Sequence, residues 1–332
     1  MKSKYRYIEE DALCFKRVKR GRGFAYLNEN GEKIADKIKL SRIKNLVIPP
    51  MWTDVSICRF DDGHIQATGR DLKGRKQYIY HSEWEKRRQE EKFERMSQFG
   101  KALPKLRKKA QKDLKARNWT KEKILALMVT ILDETGIRIG NKLYEKENKT
   151  YGLTTLRRKH MEVEGNTLSL SFKGKSNKER EVTIEDKAII RHIKKVAELP
   201  GYELFKYVDE AGDVNKVDSH DVQEYIKENM GDEFTCKDFR TWVGSRLAIE
   251  LFPEAIDHKK EFTKKKLETI LVRMVADELG NTPTICKGYY IHPVILNKVD
   301  IGEFPLKNPF RETNSPTALD KSEKLLLKLL EK

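Results

Sequence analysis

Long apolar runs are missing from this 332-residue sequence, and no stretch approaches the ~20 residues that a bilayer-crossing helix needs. The first residues, Met1-Lys2-Ser3-Lys4-Tyr5, do not open an apolar signal segment. Cysteine is scarce. Cys14, Cys58, Cys236 and Cys286 lie far apart with no C-x-x-C pair, which argues against a disulfide scaffold or a structural zinc and for a reducing compartment. The seven histidines are scattered and no H-E-x-x-H occurs, so a zinc hydrolase is not expected. Gly174-Lys175-Ser176 imitates the end of the phosphate loop G-x-x-x-x-G-K-[ST], yet the first glycine of that pattern falls on Ser169. No G-x-S-x-G elbow is present either. These absences lead us to expect a cytoplasmic protein, away from membranes, whose chemistry uses no ATP and no divalent metal.

Charge is what the sequence has in excess. Lys and Arg number 68 against 52 Asp and Glu, a net charge of +16, while 38% of the residues are hydrophobic and suffice for proper cores. A surplus of that size points to a polyanion, nucleic acid or an acidic membrane surface. It is also clustered. Between Lys101 and Lys123 ten basic residues face only Asp113 and Glu122, a net +8. Lys105, Lys108 and Lys109 are the candidates there for contacts with a phosphate backbone.

Two regions differ in pattern, and the expected fold class is α+β. Residues 1–88 read as a small, mostly β domain, with turn signals at Gly21-Arg22-Gly23, Asn30-Gly31 and Asp62-Gly63 between apolar segments such as Phe24–Leu27 and Val55–Phe60. Gly74-Arg75-Lys76-Gln77-Tyr78-Ile79-Tyr80 is a basic turn feeding a strand, whose two tyrosines share a face by period-two geometry. Residues 89–332 read as a larger, mainly helical domain, joined through the charged, helix-prone segment Glu85–Met96. Ile124, Leu127, Met128, Ile131 and Leu132 form a helical stripe that Gly136 stops. A β-hairpin interrupts the helices, with strands over Thr167–Phe172 and Arg180–Ile184 about Lys173-Gly174-Lys175. Helices follow at Asp186–Ala197, behind the capping signature Thr235-Cys236-Lys237-Asp238, and over roughly Lys264–Leu279. The tail after Pro305 reads as loop, then as a short terminal helix at Leu325–Leu330 suited to packing.

Phosphodiester transfer without a metal needs cationic donors for the nonbridging oxygens, a proton donor for the leaving oxygen and a nucleophile. Arg138 sits in Gly136-Ile137-Arg138-Ile139-Gly140, a charge between apolar neighbours just past a helix end. Arg240 sits in the first turn of an apolar-rich helix. For either, a buried structural salt bridge is the competing reading. Lys175 at the hairpin tip reads equally as a solvated lysine, and Tyr289-Tyr290 as two core aromatics.

Taken in order, these segments resemble the poxvirus-like and bacterial branch of the type IB DNA topoisomerases. That family carries an arginine in I-R-x-G, a lysine in a G-K hairpin, an arginine in K-D-x-R-T, then G-[HN]-T-P leading to a tyrosine. Arg138, Lys175, Arg240, Asn281 and Tyr290 stand in that order, with Tyr290 nine residues after Asn281. The resemblance covers most of residues 40–300 and departs from the viral members at Asn281, where they have histidine. It implies a β-rich N-terminal clamp domain and a helical catalytic domain of the tyrosine recombinase/topoisomerase IB type, closing as a monomer around double-stranded DNA. In a nucleoid-associated protein of bacterial type, Tyr290 would form a 3′-phosphotyrosyl bond. Arg138, Arg240 and Asn281 would hold the nonbridging oxygens, and Lys175 would protonate the leaving 5′-oxygen. Arg75, Lys76, Gln77, Tyr78 and Tyr80 would form the base-contacting element. A tyrosine site-specific recombinase shares the chemistry but normally carries H-x-x-R where this chain has Lys237-Asp238-Phe239-Arg240. A noncatalytic DNA-binding protein accounts for the charge but not for the ordered set.

Overall fold

The computed structural model describes residues 5–261, 264–304 and 315–331. It divides into two compact units, Met1–Lys92 and Phe93–Lys332.

The first unit is built on hairpin chemistry. Gly21 takes a left-handed φ of 57°, so β1 (Phe15–Arg20) reverses into β2 (Gly23–Leu27) through a two-residue turn. Next comes α1 (Lys37–Asn45), a helix in a region read from sequence as strands. Asp36 decides it, because its carboxylate accepts from the amides of Ile38 and Lys39 and so nucleates the first turn. Then β3 (Thr53–Ile57), β4 (Ile65–Arg70) and β5 (Lys76–Tyr80) complete an antiparallel sheet in the order β2-β1-β3-β4-β5. Phe15, Ile34, Ile43, Ile48, Val55, Ile57 and Ala67 form its core. The charged segment after it forms α2 (Ser82–Glu94).

The second unit is mainly helical, and its order is α3 (Met96–Leu114), α4 (Lys121–Thr135), α5 (Lys142–Asn148), β6 (Met161–Glu164), β7 (Thr167–Lys173), β8 (Glu179–Ile184) and α6 (Lys187–Ala197). There follow β9 (Lys206–Val208), β10 (Val214–Lys216), α7 (Ser219–Met230), α8 (Cys236–Glu250) and α9 (Phe252–Glu261). The chain continues through α10 (Leu267–Leu279), α11 (Pro283–Tyr289), α12 (Pro293–Asp300) and α13 (Lys321–Leu330). The expected hairpin gains β6 as a third strand, in the order β6-β7-β8. Thr235 and Asp238 cap α8 reciprocally, as their spacing requires. The helix expected from Lys264 starts at Leu267, since a run of lysines opposes the positive end of the helix dipole. Residues 305–314 of the loop expected after Pro305 lie outside the described residues. Among the described residues no helix is long and apolar enough to cross a membrane.

The terminal helix packs as expected and brings a buried charge with it. Arg107 of α3 forks onto Asp133 of α4, at 2.7 and 3.1 Å, and onto Glu323 of α13, at 2.6 and 2.9 Å. Trp242 of α8 donates to the same Glu323 carboxylate at 2.9 Å. Burial pushes the Glu323 pKa up, but hydrogen bonding and charge from Arg107, with Trp242 and Arg246 behind, outweigh it and bring the value to about 2. A carboxylate held below its unfolded value of 4.5 stabilises the fold fully above that value and loses its effect as pH falls through about 2. We therefore expect Glu323→Gln to cost about 3 kcal/mol near neutrality. The difference in melting temperature between variant and parent should shrink between pH 4.5 and 2. A difference constant across that range would remove Glu323 from the account.

Candidate active site

Two helix C-termini frame the site. α4 stops at Gly136, whose φ of 59° ends the helix in the left-handed conformation, and α10 stops at Gly280 with a φ of 58°. The last carbonyls of a helix have no intrahelical partner and carry the negative end of its dipole. Arg246 of α8 takes the Asp133 and Glu134 carbonyls of α4, and three further guanidiniums occupy the remaining ones at the site. Arg240 of α8 donates to the Gly136 carbonyl and, at 3.0 Å, to that of Leu279. Arg138, two residues past Gly136, donates at 3.4 Å to the Gly280 carbonyl and also to Oδ1 of Asn281. Arg180 of β8 donates at 3.2 Å to the Asp277 carbonyl and also to that of Glu278.

The partners are carbonyls, and among the described residues no carboxylate pairs with any of the three arginines. That overturns the buried salt bridge as a reading of Arg138 and Arg240. The difference matters chemically, because a carboxylate would cancel the charge it positions, whereas a carbonyl dipole fixes the guanidinium and leaves its charge available. Burial, then the neighbouring charge of Arg240, press the Arg138 and Arg180 guanidiniums down to about 10. They stay protonated at neutral pH. Burial is the larger cause, and the like charge of Arg240 adds a repulsion that a bound anion would relieve.

Two donors remain unspent. Nε of Arg240 and Nδ2 of Asn281 are buried without a partner. Arginine can only donate, so Arg138 fixes the Asn281 carboxamide with Oδ1 toward itself and leaves the NH2 group to a further acceptor.

Tyr290 follows α11 directly, and its ring centroid lies 4.9 Å from the Arg240 guanidinium carbon. Burial raises its phenol pKa, but the charge and hydrogen bonding of Arg240, with the charge of Arg138, more than offset this and hold the hydroxyl below its ordinary value. Tyr289, by contrast, is 38% exposed. The Tyr290 backbone is pinned to α8. Its carbonyl accepts from Oγ of Ser245 at 3.2 Å, and a Cβ added at Gly244 would come within 2.8 Å of that carbonyl oxygen. Gly244→Ala must therefore displace Tyr290. With Tyr290 as the nucleophile that the resemblance implies, cleavage should be slower by about 10²-fold with DNA binding retained, since a misplacement of ~1 Å has that effect on an in-line attack. Parent-like single-turnover cleavage would show that the contact is not limiting.

The structure thus gathers Arg138, Arg240, Asn281 and Tyr290, and leaves Lys175 apart. Lys175 is exposed in the connection between β7 and β8, where Ser176 and Asn177 take positive φ values of 66° and 58°. No contact among the described residues joins it to the cluster. Sequence reasoning missed Arg180, Gly244 and Ser245. A glycine inside an apolar-rich helix was the one readable signal.

The candidate DNA contacts fall in several settings. On β5, Tyr78 and Tyr80 stack at 5.8 Å and Tyr80 stacks on Trp84 at 4.4 Å. Asp71 holds Arg75 at 2.6 Å and Gln77 at 3.0 Å, and Lys76 meets Glu10 at 3.0 Å. In the basic run, Lys105 and Lys108 are exposed while Lys109 is tied to Asp113 at 2.5 Å. Arg107 and Lys123 are turned to internal bonding, so the net +8 is only partly a free surface.

Residues 81–302 match the family described as the eukaryotic DNA topoisomerase I catalytic core, and residues 23–71 match the bacterial DNA topoisomerase IB N-terminal domain. The chain is 35% identical over 286 residues to DNA topoisomerase 1B of Acanthamoeba polyphaga mimivirus, covering 83% of this chain and 84% of the relative. It is 26% identical over 265 residues to DNA topoisomerase 1B of Vaccinia virus (strain Copenhagen), covering 77% and 81%. A crystal structure of XerH site-specific recombinase bound to difH substrate aligns at a TM-score of 0.33 and 15% identity, over 57% of this chain and 48% of that one.

Proposed function

Because the chain belongs to the type IB DNA topoisomerases, enzymes that relax supercoiled duplex DNA by cutting and resealing one strand, we propose that Tyr290 is its nucleophile and that its arginines stabilise the pentavalent phosphate. The observation that carries this reading is the set of guanidiniums held on helix-end carbonyls beside Tyr290, charged and unneutralised. Tyr290 Oη attacks the scissile phosphorus, its proton passing to solvent, and the bond from phosphorus to the 5′-oxygen breaks. Arg138, Arg240 and Asn281 bind the nonbridging oxygens, where charge accumulates. Lys175 protonates the departing 5′-oxygen, the exposed hairpin tip giving its flexible stem reach into a groove. The cut strand turns about the intact one, and the 5′-hydroxyl reverses the attack. The phosphotyrosine conserves the bond energy, so neither ATP nor a divalent metal is required.

Relaxation of a supercoiled plasmid in EDTA without ATP tests this reading. Relaxed topoisomers with a denaturant-trapped protein–DNA adduct are expected. Strand-exchange products would instead indicate a recombinase, and intact supercoils a DNA-binding protein without catalysis.

We further propose that the chain acts as a monomeric clamp on DNA, binding it in two ways. Removing Lys105 and Lys108 should weaken binding on every sequence and reduce the salt slope by roughly one unit for each phosphate left without its lysine. Replacing Gln77, Tyr78 or Tyr80 should change which sites are cut, as expected for side chains that reach base edges. An unchanged slope in the first set, or an unchanged cleavage map in the second, would count against the division.

A further inference from the structure

We infer that Arg180 is a positioning residue that locks the hairpin bearing Lys175 to the turn bearing Asn281, and so sets the reach of the proposed general acid. The inference rests on the reading of Lys175 as that acid.

Arg180 stands opposite Phe172 in the β7–β8 ladder, and one pair further, at Lys173 and Glu179, the connection containing Lys175 begins. Its Cβ lies 3.6 Å from where a side chain on Gly174 would start, against the residue that precedes Lys175. At its other end both terminal nitrogens bond the Asp277 and Glu278 carbonyls. Between these points its stem crosses Gly280, the residue that precedes Asn281. A Cβ at Gly280 would lie 2.6 Å from Arg180 Cδ and 2.8 Å from Nε, so only glycine leaves room. One side chain thus spans the two residues immediately before Lys175 and Asn281.

Its chemistry separates it from the other two arginines. Arg240 keeps a buried Nε without a partner, and Arg138 orients a carboxamide whose NH2 group is unspent. Arg180 has committed both terminal nitrogens to backbone. A half-buried guanidinium beside Arg240, pressed down to about 10 and paired with no carboxylate among the described residues, is also a poor choice for stability alone. Without this clip the β7–β8 connection, already carrying two residues at positive φ, would keep its own ladder and the bond from the Tyr151 amide to the Lys173 carbonyl, but no tie to the turn bearing Asn281 among the described residues.

Single-turnover cleavage on two duplexes tests this, one with an ordinary phosphodiester at the cut and one with sulfur as the bridging 5′ atom. Sulfur leaves without protonation, so an absent or misplaced general acid matters little there. Arg180→Met keeps the stem over Gly280 and removes the fork. It should cleave the ordinary duplex about 10- to 100-fold more slowly, and the sulfur duplex within about threefold of the parent. Arg180→Lys restores one carbonyl bond and should recover part of the loss, at an unchanged melting temperature. Equal defects of Arg180→Met on both duplexes, or none on either, overturn the inference while a rescued Lys175→Ala leaves the general-acid reading standing. If Lys175→Ala itself is not rescued by sulfur, that reading fails and this inference with it.

Discussion

Tyr290→Phe forms no covalent adduct with DNA and relaxes no supercoils, yet binds duplex DNA almost as the parent does. This is the largest expected effect, because the substitution removes the one atom that makes the new bond. The phenyl ring keeps its place against Arg240, and the backbone bonds to Cys286 and Ser245 are untouched, so the fold should persist. Affinity should reside mainly in phosphate contacts elsewhere. Tyr289→Phe, one residue earlier and on an exposed face, should cleave normally. The adduct is read on a denaturing gel with labelled DNA. Activity lost in Tyr289→Phe and kept in Tyr290→Phe would place the nucleophile one position away.

Arg240→Ala is the second. It withdraws a charge from beside Tyr290 and strips the Gly136 and Leu279 carbonyls of their donor. Cleavage should fall by about 10³-fold, the upper range for one donor at a developing charge, and the melting temperature should fall with it. Arg240→Lys tells geometry from charge. A lysine keeps the charge but cannot span two carbonyls and still present Nε, so a loss of about 10²-fold should remain. A Lys variant within a few-fold of the parent would mean that a point charge suffices. Asn281 should follow a gentler grade. Asn281→Ala removes one neutral donor and should slow cleavage by about 10²-fold or less. Asn281→Asp should be worse, since a carboxylate there would pair with Arg138 and neutralise what the carbonyls leave free.

The sequence carried more of this site than of its scaffold. Arg138 and Arg240 were visible as charges set among apolar neighbours, and their order with Lys175, Asn281 and Tyr290 gave the resemblance its force. What the sequence hid was why those charges are tolerated. The bonds that hold Arg240 run to residues 104 and 39 positions away, and those of Arg138 to residues 142 and 143 away, so only the folded chain brings donor and helix end together. Arg180 was invisible for a related reason. An arginine on a hairpin strand looks solvated until the end of α10 is laid across it. In the N-terminal unit the misreading was local, because the apolar spacing of Lys37–Asn45 does not exclude a strand and a single capping aspartate settled the matter.

Cleavage and resealing pass through one pentavalent geometry, so a donor that waits preassembled, as the Asn281 carboxamide does against Arg138, would serve both directions equally. Weakening such a donor leaves the balance between cut and sealed DNA unchanged and lengthens the life of each nick. During a longer nick the free end swivels further before it is caught. A chain altered at Asn281 would therefore cut seldom but release more superhelical turns per cut. Counting turns per event on a single twisted DNA molecule would reveal a slow enzyme with long strides.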